Sequence, residues 1–390
     1  MHEPLRVLHL SPEFPPLIGG IADYADWLTS ELAGLGLHVR VLTGPRSATR
    51  DVRTVEVSGT VEHCDRRLWR AVAREIETFR PDVLHVHYQP LMYGNDPAIG
   101  FLPWALGVRG RRPAIVTTLH DMSRPARAPK AVGRLAFEAL LFGSEAIIVS
   151  GEGESRGVAK RPGLKRRTTV VPIGSNIHVH PLMPDRRRNL RVSHASDVDA
   201  FLLAYFGLIR PGKGIEVLLD SIAELRARDV RVEFLLIGGV GDADPAVRTA
   251  YRDGLLDQSR RLGLEQAVHF LGQTPADEVS DLLQSCDLGV LPFLDGATPS
   301  HTSVFAALSH GLPLVVTRGP ATSALFTEGA MALIPTPPQP ATLAQKIEEL
   351  MRDAAKRQAL AAKGRELAER FSQPAIAAQI AEIYSKVARG

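Results

Sequence analysis

The chain has 390 residues, 45% of them hydrophobic, which is enough apolar surface for two ordinary domain cores and makes a single compact domain the weaker reading. Its two cysteines, Cys64 and Cys286, lie far apart in segments that read as internal, which argues against a disulfide framework or a cysteine metal cluster and implies a reducing, cytosolic setting. The formal charge of +3 hides an asymmetry: through Arg191 there are 27 Lys and Arg against 19 Asp and Glu, and residues 101–191 alone carry 17 against 6.

That basic stretch contains GVRGRR, SRPARAPK, AKRPGLKRR and DRRRNLR. It reads either as solubilising surface charge or as a patch for anionic phosphates or an anionic membrane surface. Aromatic residues are hardly interleaved with it, so nucleic acid is not an expected partner. No window approaches the roughly 18 uninterrupted apolar residues of a membrane span, and MHEPLRVLHLSPEFPP breaks at prolines as a buried strand does and a signal peptide does not. A cytoplasmic protein is expected, with peripheral attachment at the inner membrane surface as the variant the basic stretch allows.

Taken in chain order, β-branched runs alternate with longer helical patterns, the signature of βα units around parallel sheets. RVLHLS, HVRVLT, DVLHVH, AIVTTLH, AIIVS and TVVPI form a first series, and FLLAYFG, VEFLLIGG, VHFLG, LGVLP and PLVVT a second. The spacing predicts two doubly wound, Rossmann-like α/β domains over residues 1–182 and 200–371. The segment 183–199, polar and without usable periodicity, is read as a linker, and 372–390 as a C-terminal helix packing back on the first domain. Ligands in such sheets bind beyond the carboxyl ends of the strands, so the default active site is a central cleft between the two domains.

Four stretches sit where that rule puts chemistry. In SPEFPPLIGGIADYADWL, Gly19 and Gly20 open a helix whose free N–H groups suit an anion. In TTLHDM, His120 and Asp121 end a strand; His85 and His87 alternate along another and share a face, so at least one of them reads as structural. In FGLIRPGKGIEVLLDSI, Arg210 and Lys213 flank a glycine at a strand-to-helix turn. There the planar fork of arginine and the point charge of lysine suit a diphosphate. In LDGATPSHTSVFAALSHGLPLVVT, hydroxyls and N–H groups meet at a helix start and Gly311 ends the helix.

The ordered set PPLIGGIADYADWL, PDVLHVH, TTLHD, VVPIGSNI, GLIRPGKGIEVLLDSI, VHFLGQTP and ALSHGLPLVVT resembles the retaining glycosyltransferases of family 4, which have the GT-B architecture. The resemblance implies a nucleotide-sugar donor held mainly by the C-terminal domain and a hydroxyl acceptor facing the N-terminal one. It gives Gly20 a place beside the donor phosphates, His120 the family's active-site histidine near the transferred sugar, Arg210 and Lys213 the neutralisation of the diphosphate, and Gly272 the neighbourhood of the base. It also implies front-face transfer, the acceptor proton passing to the departing phosphate. Two glutamates usual in the family are replaced by Thr298 and Ala306. Asp295 is the nearest acid left for sugar hydroxyls, with His301, Thr302 and Ser303 for the diphosphate or sugar. With no EF-hand or Asp-rich motif, neither metal nor cofactor is expected. The missing glutamates keep a second reading open, a non-catalytic GT-B protein that binds a nucleotide sugar or a partner; an epimerase or phosphorylase on a similar frame is a more distant third.

Overall fold

The computed structural model describes residues 3–17, 19–47, 55–107, 112–195, 200–240, 245–320 and 322–389. The chain forms two compact units, Met1–Ile173 together with Gln373–Gly390, and Gly174–Ser372.

The first unit holds a sheet of β1 (Arg6–Leu10), β2 (His38–Leu42), β3 (Glu56–Ser58), β4 (Val83–Tyr88), β5 (Ala114–Leu119), β6 (Ala146–Val149) and β7 (Thr168–Val170). Every pairing is parallel and the order is β3-β2-β1-β4-β5-β6-β7. The central strands are buried on both faces, as parallel strands covered by helices must be. Leu8, Leu10, Leu84, Val86 and Tyr88 turn to the apolar core on one face. The alternate positions His9, His85 and His87 turn to the other, although all three are fully buried.

The second unit holds β8 (Phe201–Phe206), β9 (Val232–Ile237), β10 (Val268–Gly272), β11 (Leu288–Leu291), β12 (Leu314–Arg318) and β13 (Ala332–Pro335), again all parallel, in the order β10-β9-β8-β11-β12-β13. Both sheets reverse direction once. The chain steps outward from β1 to β3 and returns to place β4 beside β1, and it steps outward from β8 to β10 and returns to place β11 beside β8. At such a switch point the loops leaving neighbouring strands diverge, and a ligand finds room between them.

Two strands were not foreseen, β3 and β13, of three and four residues. Both are edge strands too short to show a period. The expected linker 183–199 is also corrected. It contains the helix Pro184–His194, which belongs to the second unit, and residues 196–199 lie outside the described residues. Only Leu190 of this helix is buried. Its hold on the helix Ala276–Ser285 and the following turn is ionic: Arg186 pairs with Asp281 at 3.0 Å and Arg191 with Asp287 at 3.1 Å. A helix fixed by ion pairs carries no apolar stripe, which is why its sequence reads as aperiodic.

The last helix, Gln373–Ala388, lies within the first unit, against the helix Gly20–Gly34 and strands β4 and β5. It buries Ile376, Ala377, Ile380, Ile383 and Tyr384, a stripe at helical spacing.

Candidate active site

In the second unit the switch point between β8 and β11 gathers the cationic turn and the loop before the helix Thr302–Ser309. Arg210 and Lys213 close a turn, the Lys213 N–H donating to the Arg210 carbonyl at 3.3 Å, and the Leu294 N–H donates to Gly212 O at 3.0 Å, lacing the two loops together. The approach depends on Gly214. Its φ is +72°, and a Cβ there would lie 2.0 Å from the Pro292 carbonyl oxygen. Sequence reasoning passed over Gly214. Phe293 also went unnamed, yet it is the platform of the site: the Lys213 ammonium stands 4.6 Å from its ring centroid, and the His301 ring stacks on it at 3.9 Å and 19°. Its position directly after strand LGVLP was the available signal.

Burial, then the nearby Arg210 charge, lowers the Lys213 pKa from 10.5 to about 8. Burial, then Lys213 and Arg210, lowers that of His301 to about 3, so this imidazole is neutral. Its Nδ1 accepts the Thr298 N–H at 3.1 Å, and its single proton must therefore sit on Nε2, as a hydrogen-bond donor. The position where a family glutamate would stand thus uses its backbone to orient a histidine. Among the described residues no side chain caps the helix Thr302–Ser309, and Thr302 and Ser303 occupy its first turn with N–H groups to offer. Ser303 Oγ lies 3.6 Å from where a Cβ on Gly207, at the end of β8, would be. Beyond the helix, Gly311 takes φ +66° with the Arg365 guanidinium 2.1 Å from a notional Cβ, the left-handed cap its sequence predicts.

Not every expected residue joins this cluster. Asp295 is exposed, with no side-chain partner among the described residues. Gly272 ends the edge strand β10, with β9 between it and β8; its carbonyl accepts the Gly238 N–H at 2.9 Å and the Thr274 hydroxyl at 3.2 Å. Ala306 is fully buried in the core of the second unit.

In the first unit the switch point between β1 and β4 is lined by histidines. His9 Nδ1 and His87 Nε2 are 3.1 Å apart, and His87 Nδ1 and His120 Nε2 are also 3.1 Å apart. His85 Nδ1 is 2.5 Å from the Tyr384 hydroxyl and its Nε2 is 2.7 Å from Thr118 Oγ1; Tyr384 is in turn 3.4 Å from His9 Nε2. Burial lowers the pKa of His9 to about 3 and of His120 to about 4, and holds those of His85 and His87 well below the usual value. His9, His85 and His87 present ring nitrogens within 4.8 Å of one another, a spacing that could also hold a cation. Tyr24, from the helix Gly20–Gly34, meets His87 and His120 edge-on. At the start of that helix Gly19 is extended, with φ 175°, and a notional Cβ on it would lie 3.4 Å from Oε2 of the half-buried Glu13, while Gly20 is exposed with nothing within 4 Å of a notional Cβ.

Two family models divide the chain at this point: one described as a glycosyl transferase 4-like domain matches residues 19–174, and one described as glycosyl transferases group 1 matches residues 186–367. The chain belongs to the group 1, family 4-like glycosyltransferases. D-inositol 3-phosphate glycosyltransferases of Streptomyces bingchenggensis and Kineococcus radiotolerans are 24% and 25% identical to it, over 99% and 98% of this chain and 90% and 94% of theirs. Among solved structures, Anabaena HepE with UDP and glucose superposes with a TM-score of 0.70 at 21% identity, covering 98% of this chain and all of the other. Sucrose-phosphate synthase of Thermosynechococcus elongatus does so at 0.73 and 20%, covering 98% of each chain. The fold of this glycosyltransferase is accordingly GT-B, two parallel-sheet α/β domains, and the chain is an enzyme; the non-catalytic reading falls away.

Proposed function

We propose that this glycosyltransferase moves a sugar from a nucleoside-diphosphate sugar to an acceptor hydroxyl with retention at the anomeric carbon, and that side-chain cations take the place of a divalent metal at the diphosphate. The observation that carries the reading is the second unit's turn, where Lys213 and His301, the latter with its Nε2–H to donate, meet on Phe293 close to the Arg210 charge and ahead of the helix Thr302–Ser309. As the bond from the anomeric carbon to the phosphate oxygen breaks, charge gathers on the leaving diphosphate, and donors already fixed in place stabilise it without reorganising. The acceptor oxygen bonds to the same face of that carbon and its proton passes to the departing phosphate. Asp295 takes sugar hydroxyls, and Gly272 flanks the base. His120 of the first unit serves the transferred sugar, and Gly19 and Gly20 leave backbone room for the donor. HepE, solved with UDP and with UDP-glucose, supports a nucleotide-sugar donor.

A thermal-shift screen against nucleoside diphosphates and their sugars tests the assignment, since a ligand at about 100 times its Kd adds about 2.7 kcal/mol of stability. One base and sugar should stand out, and no response to any of them would overturn the reading.

A second observation favours peripheral contact with an anionic membrane. No described helix is long and apolar enough to span one. Part of the basic run is consumed internally, by Arg186 and Arg191 in the second unit and by the Arg161–Glu138 and Arg112–Glu145 pairs in the first. What is left includes exposed Arg124, Arg127, Lys130 and Arg134 beside an apolar stripe on the helix Lys130–Gly143: Val132, Leu135 and Phe142, with Trp104 next to them at 57% exposure. Cations around exposed apolar side chains suit an anionic lipid surface. The protein should float with anionic liposomes at low salt and stay behind with neutral ones; no flotation would dispose of the contact.

A further inference from the structure

The histidines of the first unit are more than packing, because their ring nitrogens form one continuous series: His120, His87, His9, Tyr384, His85 and Thr118. A neutral imidazole carries one donor and one acceptor, so each link between two rings holds a single proton. Along His120, His87 and His9 the direction of one link fixes the other, and a Tyr384 hydroxyl that donates to His85 has no second proton and must accept from His9. Tyr384 makes the choice. Its hydroxyl, kept protonated by burial, is 2.5 Å from His85 Nδ1, a length proper to an O–H donor and short for an N–H, and 3.4 Å from His9 Nε2. The phenol thus donates to His85, whose Nε2–H donates to Thr118 Oγ1, and it accepts from His9 Nε2–H. His9 Nδ1 then accepts from His87 Nε2–H, and His87 Nδ1 from His120 Nε2–H.

We propose that Tyr384, on the C-terminal helix, is a positioning residue that polarises this chain of imidazoles and thereby holds His120 as the tautomer with a bare Nδ1, ready to accept a hydrogen bond from a sugar or acceptor hydroxyl. The role rests on the placement of His120 in the reaction given above; the tautomer does not. The same geometry speaks against a metal at His9, His85 and His87. Every ring nitrogen of the three already has a partner, no carboxylate is among those partners, and a buried divalent charge would be uncompensated.

Imidazole 15N NMR of histidine-labelled enzyme, with the His120 signals assigned by their loss in His120→Ala, reads the tautomer directly. Wild type should show His120 protonated at Nε2 alone. In Tyr384→Phe the His9 Nε2–H would be left buried without an acceptor, so the chain should reverse and His120 should carry its proton on Nδ1. The kcat should then fall about tenfold, the worth of one buried hydrogen bond, with nucleoside-diphosphate affinity unchanged. A wild-type His120 protonated at Nδ1 overturns the proposal even if Tyr384→Phe fails to fold. So does an unchanged tautomer in a folded Tyr384→Phe, or stoichiometric zinc uptake that is lost in His9→Ala. Wild-type turnover in His120→Ala would instead remove the catalytic placement and leave the tautomer result standing.

Discussion

At the switch point of the first sheet His9, His85, His87 and His120 lie ring against ring, and burial keeps every one of them neutral. At the switch point of the second, Arg210 and Lys213 share a single turn beside a helix start with no cap. Topology puts a site in the same place in both sheets, yet it leaves the electrostatics free. The first pairs its ring nitrogens within itself except for His120 Nδ1, so it can orient a group but has no charge to give; the second holds donors and charge that suit an anion from outside. A group whose partners are already present sets geometry, and one whose partners are not waits for a ligand.

The sharpest break in that comparison comes from removing charge on one side only. Lys213→Ala should lower kcat/KM by a factor on the order of 10² to 10³, as loss of a contact made to developing charge does. Steady-state kinetics on the folded variant decide it, and wild-type values would end the assignment of the second switch point to the diphosphate.

Glycines sharpen it next. Gly214→Ala puts a side chain at φ +72° and 2.0 Å from the Pro292 carbonyl oxygen, so the turn must move away from Phe293. The left-handed conformation alone costs an alanine roughly 1–2 kcal/mol. Gly20→Ala at the other switch point meets nothing within 4 Å. A lowered Tm with donor affinity down at least about tenfold is expected for the first, and an unchanged Tm for the second. Any rise in donor KM in Gly20→Ala then reports the ligand's approach rather than strain. Each degree of Tm lost by Gly20→Ala would count against that distinction.

Much of this was legible in the sequence because period and punctuation carry it. The strand runs ended where polar residues began, so Arg210, Lys213, His120 and His301 were found from their place after strands. What escaped was set by contacts between distant segments. Tyr384 lies 299 and 375 positions from His85 and His9, the histidines it touches, and nothing in AIAAQIAEIYSKVARG separates a core tyrosine from one in a hydrogen-bonded series. Phe293 read only as the residue after strand LGVLP, since a platform is defined by what stacks on it. Pro184–His194 escaped for an ionic reason, its partners Asp281 and Asp287 lying about 95 residues onward. The helical residues of ATLAQKIEELMRDAAKRQALAAKGRELAERF fall into two helices, Pro340–Arg352 and Ala354–Glu369, divided at Asp353, whose carboxylate accepts the Lys356 N–H at 2.8 Å. That aspartate is a cap in the ordinary pattern, hidden among strong helix formers.

The smallest expected effect separates the two switch points by pH alone. The ammonium of Lys213 is the form that attracts a diphosphate, and it prevails below a pKa lowered to about 8. Raising the pH through that value removes the charge from the free enzyme, so kcat/KM should halve near pH 8 and then fall toward tenfold per further unit. A bound diphosphate favours the ammonium and raises its pKa, which moves the corresponding limb in kcat to higher pH. Lys213→Arg keeps its charge throughout and should lose the limb even if its activity is lower. The histidines predict the opposite side of the profile to be flat, because His120, with a pKa near 4, and His9 and His301, near 3, are already neutral through the range from about pH 5 to pH 8. An alkaline limb that survives in Lys213→Arg would assign that titration to another group and leave the lowered lysine without a part in donor binding.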